Sequence, residues 1–224
     1  MAQEFESARQ KMVDNQIRTT DVTSHSVLQA FLSVEREKFV PANKAALAYI
    51  DSDIEVVAAD EGRPARYLME PSPLAKLLQL AAIDKNDVVL EIGGCCGYTA
   101  ALLSLLAGSV VTLESDEALA QQATETLSAN GYDNVAVVTG PLREGYASEA
   151  PFDVIFINGA IDEVPEELTS QLREGGRLVT VIGRGGAAQA HLLLRSGETL
   201  SGRPVFNAAV PILPGFEREA AFVF

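Results

Sequence analysis

This chain is poor in cysteine, in histidine and in positive charge. Its only cysteines, Cys95 and Cys96, are adjacent. Neighbouring thiols cannot staple distant segments, so no disulfide framework exists and a reducing, cytoplasmic setting is expected. The two histidines, His25 and His191, are isolated, and no His/Cys/Asp/Glu spacing suggests a metal site. Lys and Arg number 17 against 31 Asp and Glu, a formal charge of −14. Such a chain repels phosphate backbones and carries no Lys/Arg cluster, so no nucleic-acid partner is expected. No apolar run reaches the roughly 18 residues of a membrane span, and no basic amphipathic stretch suits a membrane surface. The opening Met1-Ala2-Gln3-Glu4-Phe5-Glu6 is acidic and polar, unlike a signal peptide. There is no internal repeat and no low-complexity segment.

What is present is apolar residue, 47% of 224 positions, enough for one sizeable core. The first 60 residues read as helical. Ala8, Met12, Val13 and Ile17 mark one face, and Thr23 or Ser24 caps a second helix carrying Val27, Leu28, Phe31 and Leu32. Pro41 opens a short helix through Tyr49. Residues 51–66 read as an irregular loop with a short strand at Ile54–Val57. Ser72-Pro73 reads as a cap and first helical proline. From there strands and helices alternate: strand 88–92, helix 98–107, strand 109–113, helix 116–129, strands 135–139 and 153–157, helix 165–172, strand 177–182. Asn130-Gly131 is a helix stop. The alternation predicts a doubly wound α/β fold with a mostly parallel sheet. Short strands at His191–Leu194, Pro204–Asn207 and Ala220–Phe224 predict an antiparallel edge. The expected organisation is a helical segment and loop over 1–66 packed on a core of 67–224, one structural domain overall.

The run Val88-Val89-Leu90-Glu91-Ile92-Gly93-Gly94-Cys95-Cys96-Gly97-Tyr98 leads a buried strand through a glycine turn into a helix. That is how α/β proteins build a nucleotide pocket. Its spacing differs from G-x-G-x-x-G. It resembles instead the first motif of class I S-adenosylmethionine (SAM) dependent methyltransferases, an acid followed by three alternate glycines, with Cys95 in place of the middle one. Glu114 ends the second strand, 21 residues after Gly93, where an acid grips ribose hydroxyls in dinucleotide folds. Gly140-Pro141-Leu142 ends the third strand, at the adenine edge. Asn158 ends the fourth, which faces the methyl donor. Each has a plainer reading: turn glycines, a solvated strand end, a loop cap, and for the cysteines small buried side chains.

Most of the chain resembles the protein-L-isoaspartate O-methyltransferase family. Met12-Val13-Asp14-Asn15-Gln16-Ile17-Arg18 is similar to the family's M-V-x-x-Q-I-R opening, and Val27-Leu28 through Arg36-Glu37-Lys38-Phe39-Val40-Pro41 to its V-L…V-x-R-x-x-F-V-P stretch. Leu90-Glu91-Ile92-Gly93, Gly97-Tyr98, Ala150-Pro151-Phe152-Asp153 and Gln171 to Val179 continue it. The resemblance implies a Rossmann-like seven-stranded sheet with an N-terminal helical extension, SAM as cofactor, and isoaspartyl proteins or peptides as partners. It implies methyl transfer to the isoaspartyl carboxylate, with Glu91, Gly93, Gly94, Gly97, Tyr98, Glu114, Gly140, Pro141 and Leu142 around the cofactor. The acceptor carboxylate is already ionised, so positioning and exclusion of water suffice.

Three departures fall on the chemistry. Alignment on Pro71 puts Met69 where the family's I-S-x-P motif has a carboxylate-positioning hydroxyl, with Ser72 as a weak substitute, and Met is a poor hydrogen-bonding group. Gly140-Pro141-Leu142 replaces G-D-G, losing an acid and a backbone donor. Cys95 brings a β-carbon to a glycine position. Three readings stay open: a methyltransferase of the isoaspartyl type with a redesigned site, a methyltransferase for another small substrate, and a catalytically degenerate relative that binds a nucleoside or a partner.

Overall fold

A computed structural model describes residues 2–218, and the expected strand at Ala220–Phe224 lies outside them. The chain opens with α1 (Ala2–Met12), which loosens into a wide turn over Val13–Ile17, and α2 (His25–Ser33). Ser24 caps α2, its side chain accepting the Val27 N–H. Pro41 leads into a 3-10 turn over Ala42–Leu47 rather than an α-helix. A two-stranded antiparallel ribbon follows, β1 (Ile54–Val57) and β2 (Arg66–Leu68). The expected loop over 51–66 ends in a second strand, β2, that the pattern did not reveal, because three residues are too few for an alternation to show.

Next comes α3 (Pro71–Ala81), which begins before the expected Ser72 cap, with Glu70 in the N-cap place. Pro71 and Pro73 both sit in its first turn, where no backbone donor is needed. The main sheet is built from β3 (Val88–Ile92), β4 (Ser109–Glu114), β5 (Val135–Thr139), β6 (Phe152–Ile161), β7 (Leu172–Ile182), β8 (Gln189–Ser196) and β9 (Thr199–Asn207). Helices α4 (Tyr98–Leu106), α5 (Glu117–Ala129) and the short α6 (Glu166–Ser170) connect them. The order is β5-β4-β3-β6-β7-β8-β9; β3 to β7 run parallel, and β8 and β9 form the antiparallel edge. This is the doubly wound, seven-stranded class I methyltransferase architecture with its N-terminal helices. Switch-point logic places the ligand crevice where β3 feeds α4.

Period-two alternation divides the strands between two cores. Val89, Val110 and Val154 face α1 to α5, sharing a cluster with Phe31, Leu74, Leu102 and Leu127. Leu90, Ile92, Leu113 and Ile155 face a thinner layer of Leu142, Leu168, Leu213 and Phe216. Strands β6 and β7 are longer than their apolar runs. β6 continues past the expected end at 157 through a bulge, since Phe156 pairs with Val179 but Ala160 with Val181. The segment after β9 lies beside this extension: the Ala160 N–H donates to Pro211 O and the Leu213 N–H to Ala160 O, both 2.9 Å.

Candidate active site

The turn after β3 is shaped by close approach. A β-carbon on Gly94 would stand 2.1 Å from the Thr112 hydroxyl, so only glycine fits. The Gly93 and Gly94 N–H groups both donate to Leu113 O, tying the turn to β4. Cys95 adopts a left-handed φ of 50°, as the glycine spacing anticipated, a backbone region that costs a non-glycine residue about 1–2 kcal/mol. Cys95 and Cys96 are both buried, and the Cys95 thiol is pushed well up by its hydrogen bond to Cys96 and by burial.

Register puts Glu91 opposite Thr112, and the Thr112 hydroxyl donates to Glu91 Oε2 at 2.7 Å. Asn158 does not end its strand. It sits in the β6 bulge and turns back to donate to Glu91 Oε1 (3.0 Å), Gly93 O (3.3 Å) and Thr99 Oγ1 (3.1 Å). Burial raises the Glu91 carboxyl from 4.5 to about 7, and the Thr112 and Asn158 bonds only partly offset it. Between those values the folded state binds the extra proton, so stability falls as pH rises through that window and is level above it. A shift of this size corresponds to about 3 kcal/mol. Glu91→Gln, uncharged throughout, is expected to be more stable than wild type by about that much near pH 8, and comparable near pH 4. Urea titrations at the two pH values check this; a difference that does not change with pH refutes it.

Glu114 is 1% exposed at the end of β4. Arg66 of β2, itself 5% exposed, forks onto it: Nη1 donates to Oε1 at 2.5 Å and Nη2 to Oε2 at 2.7 Å. The Cys95 N–H donates to Oε2 at 2.7 Å, and the Ser115 and Asp116 N–H groups to Oε1 at 2.8 and 3.0 Å. Five N–H donors saturate a carboxylate that offers about four lone-pair sites. Burial works against the Arg66 charge, and Glu114 more than offsets it, so the Arg66 pKa rises. Close by, Arg63 pairs at 2.5 Å with Asp116, the residue that caps α5 through its bonds to the Ala118 and Leu119 N–H groups.

On the other side of the turn, Leu213 covers Gly93. Its Cδ2 lies 2.8 Å from where a Gly93 β-carbon would stand. Beside Leu213 the crevice keeps about 20 Å³, lined by Arg66, Met69, Gly93, Asn158, Pro211 and Leu213 among others, and a second hollow of about 180 Å³ shares Arg66 and is lined by Arg63, Pro64, Ser115, Asp116 and Pro214. The first holds about one water, and both are smaller than the several hundred Å³ of a small-molecule pocket. A far larger open depression of about 560 Å³ lies between α6 and the β8–β9 hairpin. Its cation, Arg195, is committed to the Ser170 and Leu172 carbonyls, and the rest of its polar lining is Glu166, Thr169, Ser170, Glu198 and Thr199.

Other expected site residues are placed elsewhere. Tyr98 is fully buried, its ring against the edges of Phe31 and Phe39 and under Arg36, whose guanidinium carbon is 4.7 Å from the ring centre. It is a packing residue of the N-terminal layer, because the first residue of α4 points its ring away from the turn. Leu142 belongs to the thinner core, and Gly140 and Pro141 do not line the crevice; the Gly140 N–H donates to Glu114 O. Met69 does line it, together with Tyr67 and Asn158, and the Ser72 hydroxyl does not, donating instead to Thr20 Oγ1 at 3.1 Å. Arg66 was missed because it joins Glu114 across 48 positions from a segment read as loop.

In the described conformation the Arg66 guanidinium takes up the Glu114 carboxylate and Leu213 lies on the turn, so the crevice is closed over Gly93. Among the described residues no cluster could hold a metal, and no helix is long and apolar enough to cross a membrane.

The family model for protein-L-isoaspartate(D-aspartate) O-methyltransferase matches residues 7–207. A protein-L-isoaspartate O-methyltransferase of Koribacter versatilis is 38% identical over 179 residues, covering 80% of this chain and 78% of that one. One from Roseiflexus castenholzii is 36% identical over 216 residues, covering 95% and 94%. A solved protein-L-isoaspartate O-methyltransferase superposes with TM-score 0.79 at 29% identity, over 92% of this chain and 66% of that one. A Plasmodium falciparum protein solved with S-adenosyl-L-homocysteine superposes at 0.76 over 91% and 96%, and at 17% identity shows the fold alone. By sequence and by fold, this chain belongs to the protein-L-isoaspartate(D-aspartate) O-methyltransferase family, a family of SAM-dependent methyltransferases.

Proposed function

We propose that the protein serves its family's reaction, methyl transfer from SAM to the side-chain carboxylate of isoaspartyl residues in damaged proteins or peptides, as a step of protein repair. The match over residues 7–207 carries this reading, since it includes the N-terminal helical layer as well as the sheet. Glu91 and Glu114 stand at the ends of β3 and β4, beside the Gly93–Gly97 turn, in support of it. The acceptor arrives already ionised, so the lack of a general base is no obstacle. In this reading residues 1–66 and 67–224 work as one unit, in a reducing cytoplasm, with no nucleic-acid partner for a chain of charge −14.

One observation favours a second reading. The Arg66–Glu114 pair, which takes up the carboxylate a ribose would need, suits a relative that has given up the nucleoside and acts by binding. Labelled methyl from SAM should pass to an isoaspartyl peptide and not to its aspartyl twin. No transfer at saturating SAM and peptide defeats the first reading and leaves the second.

A further inference from the structure

We infer that Arg66 and Leu213 are internal occupants of the nucleoside crevice, holding in the resting protein the places that the ribose and the methionine tail of SAM would need. The inference rests on the family reading of that crevice and goes beyond it in assigning these two side chains.

The match is chemical as well as spatial. A ribose diol offers two O–H donors side by side to a carboxylate, and the Arg66 fork offers two N–H donors, one to each Glu114 oxygen, at 2.5 and 2.7 Å. The methionine tail of a nucleoside cofactor must pass close to the turn backbone. Leu213 lies there, with Cδ2 2.8 Å from the Gly93 β-carbon position and Cγ 2.6 Å from that of Gly159. The Gly93 carbonyl, an acceptor facing that space, already takes an N–H from Asn158.

Both occupants are delivered by anchored segments. Arg66 comes from β2, paired with β1, and Arg63 ties the same arm to Asp116. Leu213 comes from the segment bonded to Ala160 on both sides, with Phe216 fully buried behind it. A ligand must lift the guanidinium off its carboxylate and the leucine off its glycine before it can enter. If an open form makes up about 1% of molecules, affinity falls about 100-fold relative to an open protein.

Isothermal titration with S-adenosyl-L-homocysteine tests this on wild type, Arg66→Ala, Leu213→Ala and the double variant. Circular dichroism and thermal melts confirm that each is folded. Arg66→Ala leaves Glu114 with its three backbone N–H donors, so a folded variant is expected, and Arg66→Gln is a milder replacement. Wild type should bind at least about 100-fold more weakly than the double variant, each single variant falling between. Wild-type binding within about threefold of the folded double variant, tight or absent in both, overturns the inference. Methyl transfer is scored separately. Opened variants that bind the nucleoside while no form methylates an isoaspartyl peptide would leave the inference standing and remove the proposed reaction. Wild type that methylates and binds within about threefold of the double variant would do the reverse.

Discussion

Glu114→Leu is expected to destabilise the fold by about 5 kcal/mol, the upper end of what breaking a buried ion pair costs. The reason is the number of partners left behind. The Arg66 guanidinium, 5% exposed, bonds to Glu114 alone, and the Cys95, Ser115 and Asp116 N–H groups lose their acceptor together. Arg66→Met removes the other partner, yet Glu114 keeps its backbone donors, so its cost should be nearer about 3 kcal/mol. The double variant Arg66→Met/Glu114→Leu distinguishes this site from an ordinary buried pair. Replacing both members of such a pair with apolar residues is often neutral. Here the orphaned N–H groups persist, and the double variant should remain less stable than Arg66→Met alone. Urea unfolding followed by circular dichroism measures all three. Against a total stability of about 5–15 kcal/mol, the Glu114→Leu loss is large enough to leave the protein partly unfolded. A double variant as stable as wild type would mean the backbone donors find other partners and the carboxylate serves only its arginine.

That carboxylate also marks where sequence reasoning stopped. The spacing from Gly93 located Glu114 at a strand end, and β3 and β5 fall on the expected residues, because both signals are local and periodic. What fills the crevice is not local. Arg66 lies 48 positions from Glu114 in a three-residue strand, and Leu213 comes from a segment beyond β9 with no pattern of its own. The legible trace was indirect. Met69, Pro141 and Cys95 each depart from the family motif, and of the three Met69 lines the crevice. Cys95 shows why: its left-handed backbone aims its N–H at Glu114, a bond that needs the turn but no cofactor. The Tyr98 ring points where the motif gave no sign. Its place in the motif suggested a cofactor contact, but the direction of a side chain at a helix start follows from packing, and Phe31, Phe39 and Arg36 surround it.

Arg36 carries the second large expected effect. It is fully buried, and it holds three parts of the chain at once. Its Nε donates to Ala48 O at 2.7 Å, its Nη2 to Met69 O at 2.8 Å, and its plane covers Tyr98. The N-terminal layer, the crevice-lining Met69 and the start of α4 are thereby fixed against one another. Arg36→Met keeps the stem and the apolar bulk but strands two buried carbonyls. The loss of two charge-assisted bonds is expected to cost about 3–5 kcal/mol. For a chain of this size that lowers the melting midpoint by roughly 10 °C. Arg36→Lys should recover little, because one ammonium on a flexible stem cannot meet both carbonyls and cover the ring as a planar fork does. A melting midpoint within about 2 °C of wild type in Arg36→Met would show that the N-terminal layer holds without this side chain. Full recovery by Lys would show that charge alone, rather than the fork, joins the layer to the crevice.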